Sequence, residues 1–148
     1  MAEQSFVIRQ ISVFLDNMPG SLAKMARQLA DKGINLRALS LAETRDFGTA
    51  RMVVLDPDRC LQALKEAEYH FIETDVLAIG VADRPGGMAD VLEIITNEQL
   101  NVEYIYSMVS TKEGFAIVIL RVSDPDKACV ALNAKGVKLL TLKDIADL

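Results

Sequence analysis

The chain states one pattern twice. Residues 11–20 read ISVFLDNMPG and residues 77–86 read LAIGVADRPG, 66 positions apart. Each is an alternating apolar run that ends in a polar corner and Pro-Gly. Later landmarks keep the register: Ile34-Asn35-Leu36 matches Leu100-Asn101-Val102, and Gly48-Thr49-Ala50 matches Gly114-Phe115-Ala116. Asp56-Pro57-Asp58 then returns as Asp124-Pro125-Asp126 at an offset of 68, the slip expected of a two-residue loop insertion. A duplicated small unit accounts for all of it. The boundary falls near position 74, giving one unit over residues 1–74 and another over 75–148. Units of about 70 residues bury only about 60% of their unfolded surface, so the halves are expected to pack on each other and on a second copy of the chain.

Within each unit the period of the apolar residues changes twice. Ile11, Val13 and Leu15 recur every second residue, as on one face of a strand. After Asp16-Asn17-Met18-Pro19-Gly20, Leu22, Met25, Ala26, Leu29 and Ala30 follow helical spacing. Ser21 is placed to accept bonds from the first-turn amides, and Gly33 to end the helix. Residues 34–42 and 49–55 predict a hairpin around Asp46 and Gly48. Asp56 with Pro57 opens a second helix, with Leu61 and Leu64 facing the core, and residues 71–74 form a fourth strand. The second unit repeats this order. Its first strand spans 76–81, almost continuous with the previous one, and Met88, Val91, Leu92 and Ile95 mark its first helix. Strands over 102–109 and 115–122 meet at Lys112-Glu113-Gly114, Asp124-Pro125 opens a helix that Gly136 closes, residues 137–142 form a strand, and the tail allows one helical turn. The order β-α-β-β-α-β, twice, predicts an α+β fold. Its units are ferredoxin-like, with four-stranded antiparallel sheets and helices on one face.

Composition removes several functions. A net charge of −5 disfavours nucleic acid and anionic membrane surfaces as partners. Tyr104 and Tyr106 occupy a strand position where RNA-binding modules of this topology place aromatics, but their first-unit counterparts are Ala38 and Ser40. No apolar run approaches the roughly 18 residues of a membrane span, and the first ten residues lack a signal-peptide pattern, which points to the cytoplasm. Two cysteines, Cys60 and Cys129, make no disulfide framework and read as buried helix residues. His70 is the sole histidine, and no metal, nucleotide or nucleophile signature accompanies it. No cofactor is implied.

What remains is the pair of Pro-Gly corners. A helix N-terminus presents unpaired N–H groups and partial positive charge to a carboxylate or phosphate. Glycine at Gly20 and at Gly86-Gly87 lets a ligand approach the backbone, and Asp16, Asn17 and Asp83 suit an ammonium group. A tight structural turn explains the same composition.

The strings VFLDNMPGSLA at 13–23 and LADKGINL at 29–36 resemble an ACT domain, whose marks are a D/N-x-P-G-x-L corner and a G-I-N-I/L-like entry to the second strand. Asp83-Arg84-Pro85-Gly86-Gly87-Met88 and Leu100-Asn101-Val102 match in the second unit. The resemblance implies a non-catalytic tandem ACT protein with its units packed side by side. It would bind an amino acid where units meet and signal to a partner enzyme or regulator, as a homodimer. It implicates Asp16, Asn17, Met18, Pro19, Gly20, Ser21, Leu22 and Asn35 in the first unit. In the second it implicates Asp83, Arg84, Pro85, Gly86, Gly87, Met88 and Asn101. The second corner departs from the pattern: Asp83 replaces Asn17, Arg84 replaces Met18, and Gln99 replaces the helix-ending Gly33. The first corner is therefore the better ligand site. Two alternatives stand beside this reading: an assembly subunit that binds a partner protein and no small molecule, and an enzyme using Asp16 and Asp83 as acid–base groups.

Overall fold

The computed structural model describes residues 5–108 and 114–148. The strand end at Val109 and the Lys112-Glu113 hairpin tip lie outside the described residues. The elements follow the order β1 (Val7–Asp16), α1 (Ser21–Asp31), β2 (Ala38–Glu43), β3 (Phe47–Val53), α2 (Pro57–Glu66), β4 (His70–Ala82), α3 (Gly87–Asn97), β5 (Val102–Ser107), β6 (Phe115–Val122), α4 (Pro125–Ala134), β7 (Lys138–Leu140) and α5 (Leu142–Ala146). The fold is α+β and ferredoxin-like, as the repeat predicts. It divides into two compact units, Arg9–Thr74 in one, and the described residues up to Ile8 with Asp75–Leu148 in the other. The two predicted strands around position 75 are one unbroken strand, β4.

In the Arg9–Thr74 unit, β3 lies antiparallel between β1 and β2, pairing Val13 with Ala50 and Ser40 with Arg51. The period-two residues Ile11, Val13 and Leu15 meet Met25 and Leu29 of α1 and Cys60 and Leu64 of α2 in one buried cluster, with Phe71 of β4 packed against it. Fully burying a side chain such as Leu64 stabilises the fold by about 1.5–3 kcal/mol.

Residues 34–37, predicted as the start of a strand, are a connection instead. Ile34 is buried, and its N–H is bonded back to Leu29 O (3.0 Å), so its apolar character serves the helix end. Strand β2 consequently begins at Ala38, and the hairpin closes at Thr44 N to Phe47 O (2.7 Å). Ser21 does not cap α1, as the sequence suggested. The cap is Gly20, left-handed at φ 89° without a side-chain bond, which makes Ser21 the first helical residue. Asp56 does cap α2, accepting from Arg59 N at 3.2 Å.

In the Asp75–Leu148 unit the strands lie in the order β5-β6-β4-β7, all antiparallel. Leu77, Ile79 and Val81 face Val91 and Ile95 of α3 and Ala128 and Leu132 of α4, and Phe6 and Val7 pack against this cluster. Asp124 caps α4, accepting from Lys127 N at 3.1 Å. Strand β7 stops at Leu140, short of its predicted end, because Thr141 becomes the cap of α5 in a reciprocal pair with Asp144. The tail therefore forms the expected helical turn.

Helices α1 to α4 share one ending. The residue beyond the cap turns left-handed, and the following N–H reaches back to the last full turn. Gly33 (φ 75°) and Gly136 (φ 77°) do this without strain, whereas Glu68 (φ 62°) and Gln99 (φ 60°) carry side chains through it.

Candidate functional site

The first corner is built outward from the end of β1. Asn17 N–H donates to Asp46 O at 3.0 Å, and its side-chain Nδ2 donates to Thr44 O at 3.1 Å and Arg45 O at 3.3 Å. The corner is thereby tied to the β2–β3 turn. Met18 N–H closes onto Asp16 O at 2.9 Å, Gly20 takes the left-handed conformation, and its carbonyl accepts from Lys24 N at 2.9 Å. The chain thus enters α1 with its first-turn amides beside open space.

That space lies on both sides of the corner. Towards the hairpin, Asp16, Asn17, Met18, Ser21 and Leu22 line a cavity of about 270 Å³ with Leu41, Glu43 and Gly48. Towards β4, Asp16, Met18, Pro19, Gly20 and Ser21 line a notch of about 470 Å³ with Phe14, Lys24 and Glu68-Tyr69-His70. All the sequence-predicted residues of this corner gather here except Asn35. That residue is exposed on the connection after α1 and lines neither space. Sequence reasoning missed Leu41, Glu43, Lys24 and Glu68. Only Lys24 carried a local signal, one helical turn beyond Ser21.

The second corner has the same backbone path and a different surface. Arg84 N–H closes onto Ala82 O at 2.9 Å, and Gly86 is left-handed at φ 88°. The Arg84 side chain folds over its own helix start, donating through Nη2 to Asp90 Oδ2 at 2.7 Å and through Nη1 to Pro85 O at 3.0 Å. Gly87 occupies the position of Ser21, but a Cβ there would lie 2.0 Å from Ala82 O, so only glycine fits. Arg84 and Gly87 line a notch of about 610 Å³, whereas Asp83, Pro85, Gly86, Met88 and Asn101 do not. Asp83 N–H is bonded to Gly114 O at 3.2 Å. Asn101 pairs through its backbone with Ser123, its N–H donating to Ser123 Oγ at 3.1 Å.

Large exposed apolar side chains gather at the first corner: Met18 (60% exposed), Phe47 (58%), Leu41 (50%) and Phe14 (41%). Their counterparts by repeat register are Arg84, Glu113, Ser107 and Gly80. Polar or missing side chains thus replace all four.

Elsewhere the reactive groups are muted. Burial, and secondarily Asp56, pushes the Cys60 thiol up to about 11, and burial also raises Cys129. Both thiols therefore stay mainly protonated near neutral pH. Among the described residues no cluster of three or more His, Cys, Asp or Glu is arranged to hold a metal ion, and no helix is long and apolar enough to cross a membrane.

Two βαββαβ units in tandem, each turning into its first helix through a left-handed glycine, define a duplicated ferredoxin-like protein with paired strand-to-helix corners. The chain belongs to the ACT domain family: the model for an ACT domain pair matches residues 6–148. Protein BT0572 from Bacteroides thetaiotaomicron is 38% identical, with 97% of this chain and 98% of that chain covered and a TM-score of 0.89. The regulatory subunit of aspartate kinase from Thermus thermophilus, in its ligand-free form, shares the fold at 21% identity. There 88% of this chain and 93% of that chain are covered, with a TM-score of 0.63. An aspartokinase of Corynebacterium efficiens is 28% identical over 137 residues, covering 82% of this chain and 32% of the enzyme. The chain therefore spans about a third of the length of the curated relatives it matches.

Proposed function

We propose that this ACT pair is a non-catalytic regulatory protein of the cytoplasm that binds an amino acid at its first corner and signals to a metabolic enzyme or regulator. The observation that carries this reading is the contrast between the corners. The first keeps a cavity open beside the start of α1, with Asp16 and Glu43 on its wall, whereas Arg84 covers the start of α3. At about 270 Å³ the cavity lies just below the roughly 300–1,000 Å³ usual for drug-sized ligands, which suits an amino acid better than a nucleotide. The ligand carboxylate would take the first-turn amides of α1, where the helix dipole favours it. Its ammonium would take Asp16, with Glu43 as a second acceptor on the cavity wall.

The apolar rim of Phe14, Met18, Leu41 and Phe47 favours a further element of the same reading, a homodimer covering that rim. The rim also supports the second reading, an assembly subunit that binds a partner enzyme and no small molecule.

A thermal-shift panel of the common amino acids separates them. Ligand at 100 times its dissociation constant stabilises the fold by about 2.7 kcal/mol, a rise of about 5–10 °C in Tm for a chain of this length. Gly20→Asp should abolish that response and Gly86→Asp should preserve it. If no amino acid raises Tm, the sensor reading fails and the assembly reading stands. Light scattering of the purified chain decides the dimer.

A further inference from the structure

We infer that the second unit carries a binding site of its own, for a small carboxylate with an aryl or branched apolar tail. The site is the notch between the end of β4, the start of α3 and the start of β7. It lies outside the corner proposed above for an amino acid and takes a different chemical class.

The two notches are one feature in two copies. Met18 and Arg84, Ser21 and Gly87, Lys24 and Asp90 correspond at the first offset of the repeat, and His70 and Lys138 at the second. Each of these residues lines the notch of its own unit. A cavity kept at the same place through such divergence is a property of the fold. Its lining is what differs.

The charge has been inverted. The first notch holds the carboxylates of Asp16 and Glu68, which in the second have become Ala82 and Gly136. Of the charged groups lining the second notch, Asp90 is neutralised by Arg84, and Lys138 has no ion-pair partner among the described residues. The second notch is therefore net positive where the first, with Lys24 against two carboxylates, is net negative. Electrostatic complementarity of this kind selects the sign of a ligand more than it raises affinity.

The apolar part of the lining has moved as well. In the first notch the aromatics are Tyr69 and, on the unit's first strand, Phe14. The second has Gly80 there, and its aromatics are Phe115 of β6 and Phe6. A Cβ on Gly80 would meet Lys138 Cβ at 3.3 Å and Phe115 Cδ1 at 3.6 Å, so the lysine stem and the phenyl ring lie together over the bare backbone. With Val91 and Leu139 they make an apolar wall beside the Lys138 ammonium. At about 610 Å³ the notch exceeds the first-corner cavity and accommodates an aryl group together with its carboxylate. The carboxylate pairs with Lys138 and approaches the guanidinium of Arg84, while the tail covers Phe115 and Val91.

The test uses the full chain, with 3-phenylpropionate as probe and 2-phenylethylammonium as its cationic counterpart, followed by amide chemical shifts in ¹⁵N-labelled protein. Phenylpropionate should give saturable shifts at Gly87, Asp90, Phe115 and Lys138, and the ammonium compound should not. Lys138→Glu should weaken phenylpropionate about tenfold or more, the usual loss for one charge-assisted contact, while Lys138→Arg should keep the affinity within about threefold. The proposal is overturned if phenylpropionate gives no saturable shift, or if both probes shift the same amides equally. It is also overturned if the shifts centre on residues 14–24, or if Lys138→Glu binds as wild type. The wild-type titration with the two probes decides the matter even where a variant folds poorly.

Discussion

At equivalent points the two repeats turn from strand to helix along the same backbone path, through Gly20 in one and Gly86 in the other, both left-handed and within a degree of each other in φ. The surfaces built on that path diverge. At the first corner Asn17 is spent on the hairpin, Met18 stands exposed and Ser21 leaves room beside the helix start. At the second, Arg84 lies over the helix start, and the chain has closed so tightly that position 87 tolerates no Cβ. Duplication preserved what the backbone requires and released what the side chains do. A shared fold therefore says little about a shared ligand.

The largest expected effect tests that closure. Gly87→Ala drives a methyl into Ala82 O and should cost about 3 kcal/mol in urea unfolding, the upper range for overpacking. The matching Ser21→Gly should cost under about 1 kcal/mol, because it only loosens the first helical turn. Equal costs would mean that the two corners are no different in packing.

A smaller effect concerns the helix ends. Gln99→Gly should stabilise the chain by about 1 kcal/mol, because Gln99 sits at φ 60° in a role that Gly33 fills freely. Gly33→Gln should lose a similar amount, and thermal melts of both variants measure the pair. If Gln99→Gly fails to stabilise, the left-handed turn is not the source of strain in the second unit.

The smallest effect contrasts the helix cores. Cys60 is buried in the first unit, and its counterpart by register is Ala128. Its thiol is raised from 9.0 to about 11, chiefly by burial, so above pH 9 the unfolded chain loses that proton first. Stability should therefore fall as pH climbs from 9 towards 11. Cys60→Ala should flatten that part of the profile. At pH 8 a thiol reagent should modify Cys129, which is only partly buried, well before Cys60.

The features readable in the sequence were those with local causes. Asp56 and Asp124 cap their helices because an acceptor three residues before a free amide is a short-range matter. Gly33 and Gly136 end theirs because a left-handed turn suits glycine. Glu68 and Gln99 perform the same turn with ordinary side chains, which composition cannot reveal, since the helices they end supply the compensation. Residues 34–37 misled as a strand because an apolar residue at a helix end looks like one entering a sheet. At the candidate site, the β1–α1 residues were readable from the repeated Pro-Gly. Glu68 and His70 were not, because the notch exists only once the end of α2 has folded back beside the start of α1.

The three hydrogen bonds of Asn17 have a consequence for local opening. Its backbone N–H and both bonds of its side-chain amide end on consecutive carbonyls of the 44–46 turn. The turn cannot swing away without breaking the corner, and the corner cannot relax without releasing the turn. In hydrogen-exchange terms they form a single opening unit, so the amides of Asn17 and Thr44 should exchange by one process. Any molecule that settles beside Gly20 would slow exchange at the far tip of the hairpin, on residues it never touches.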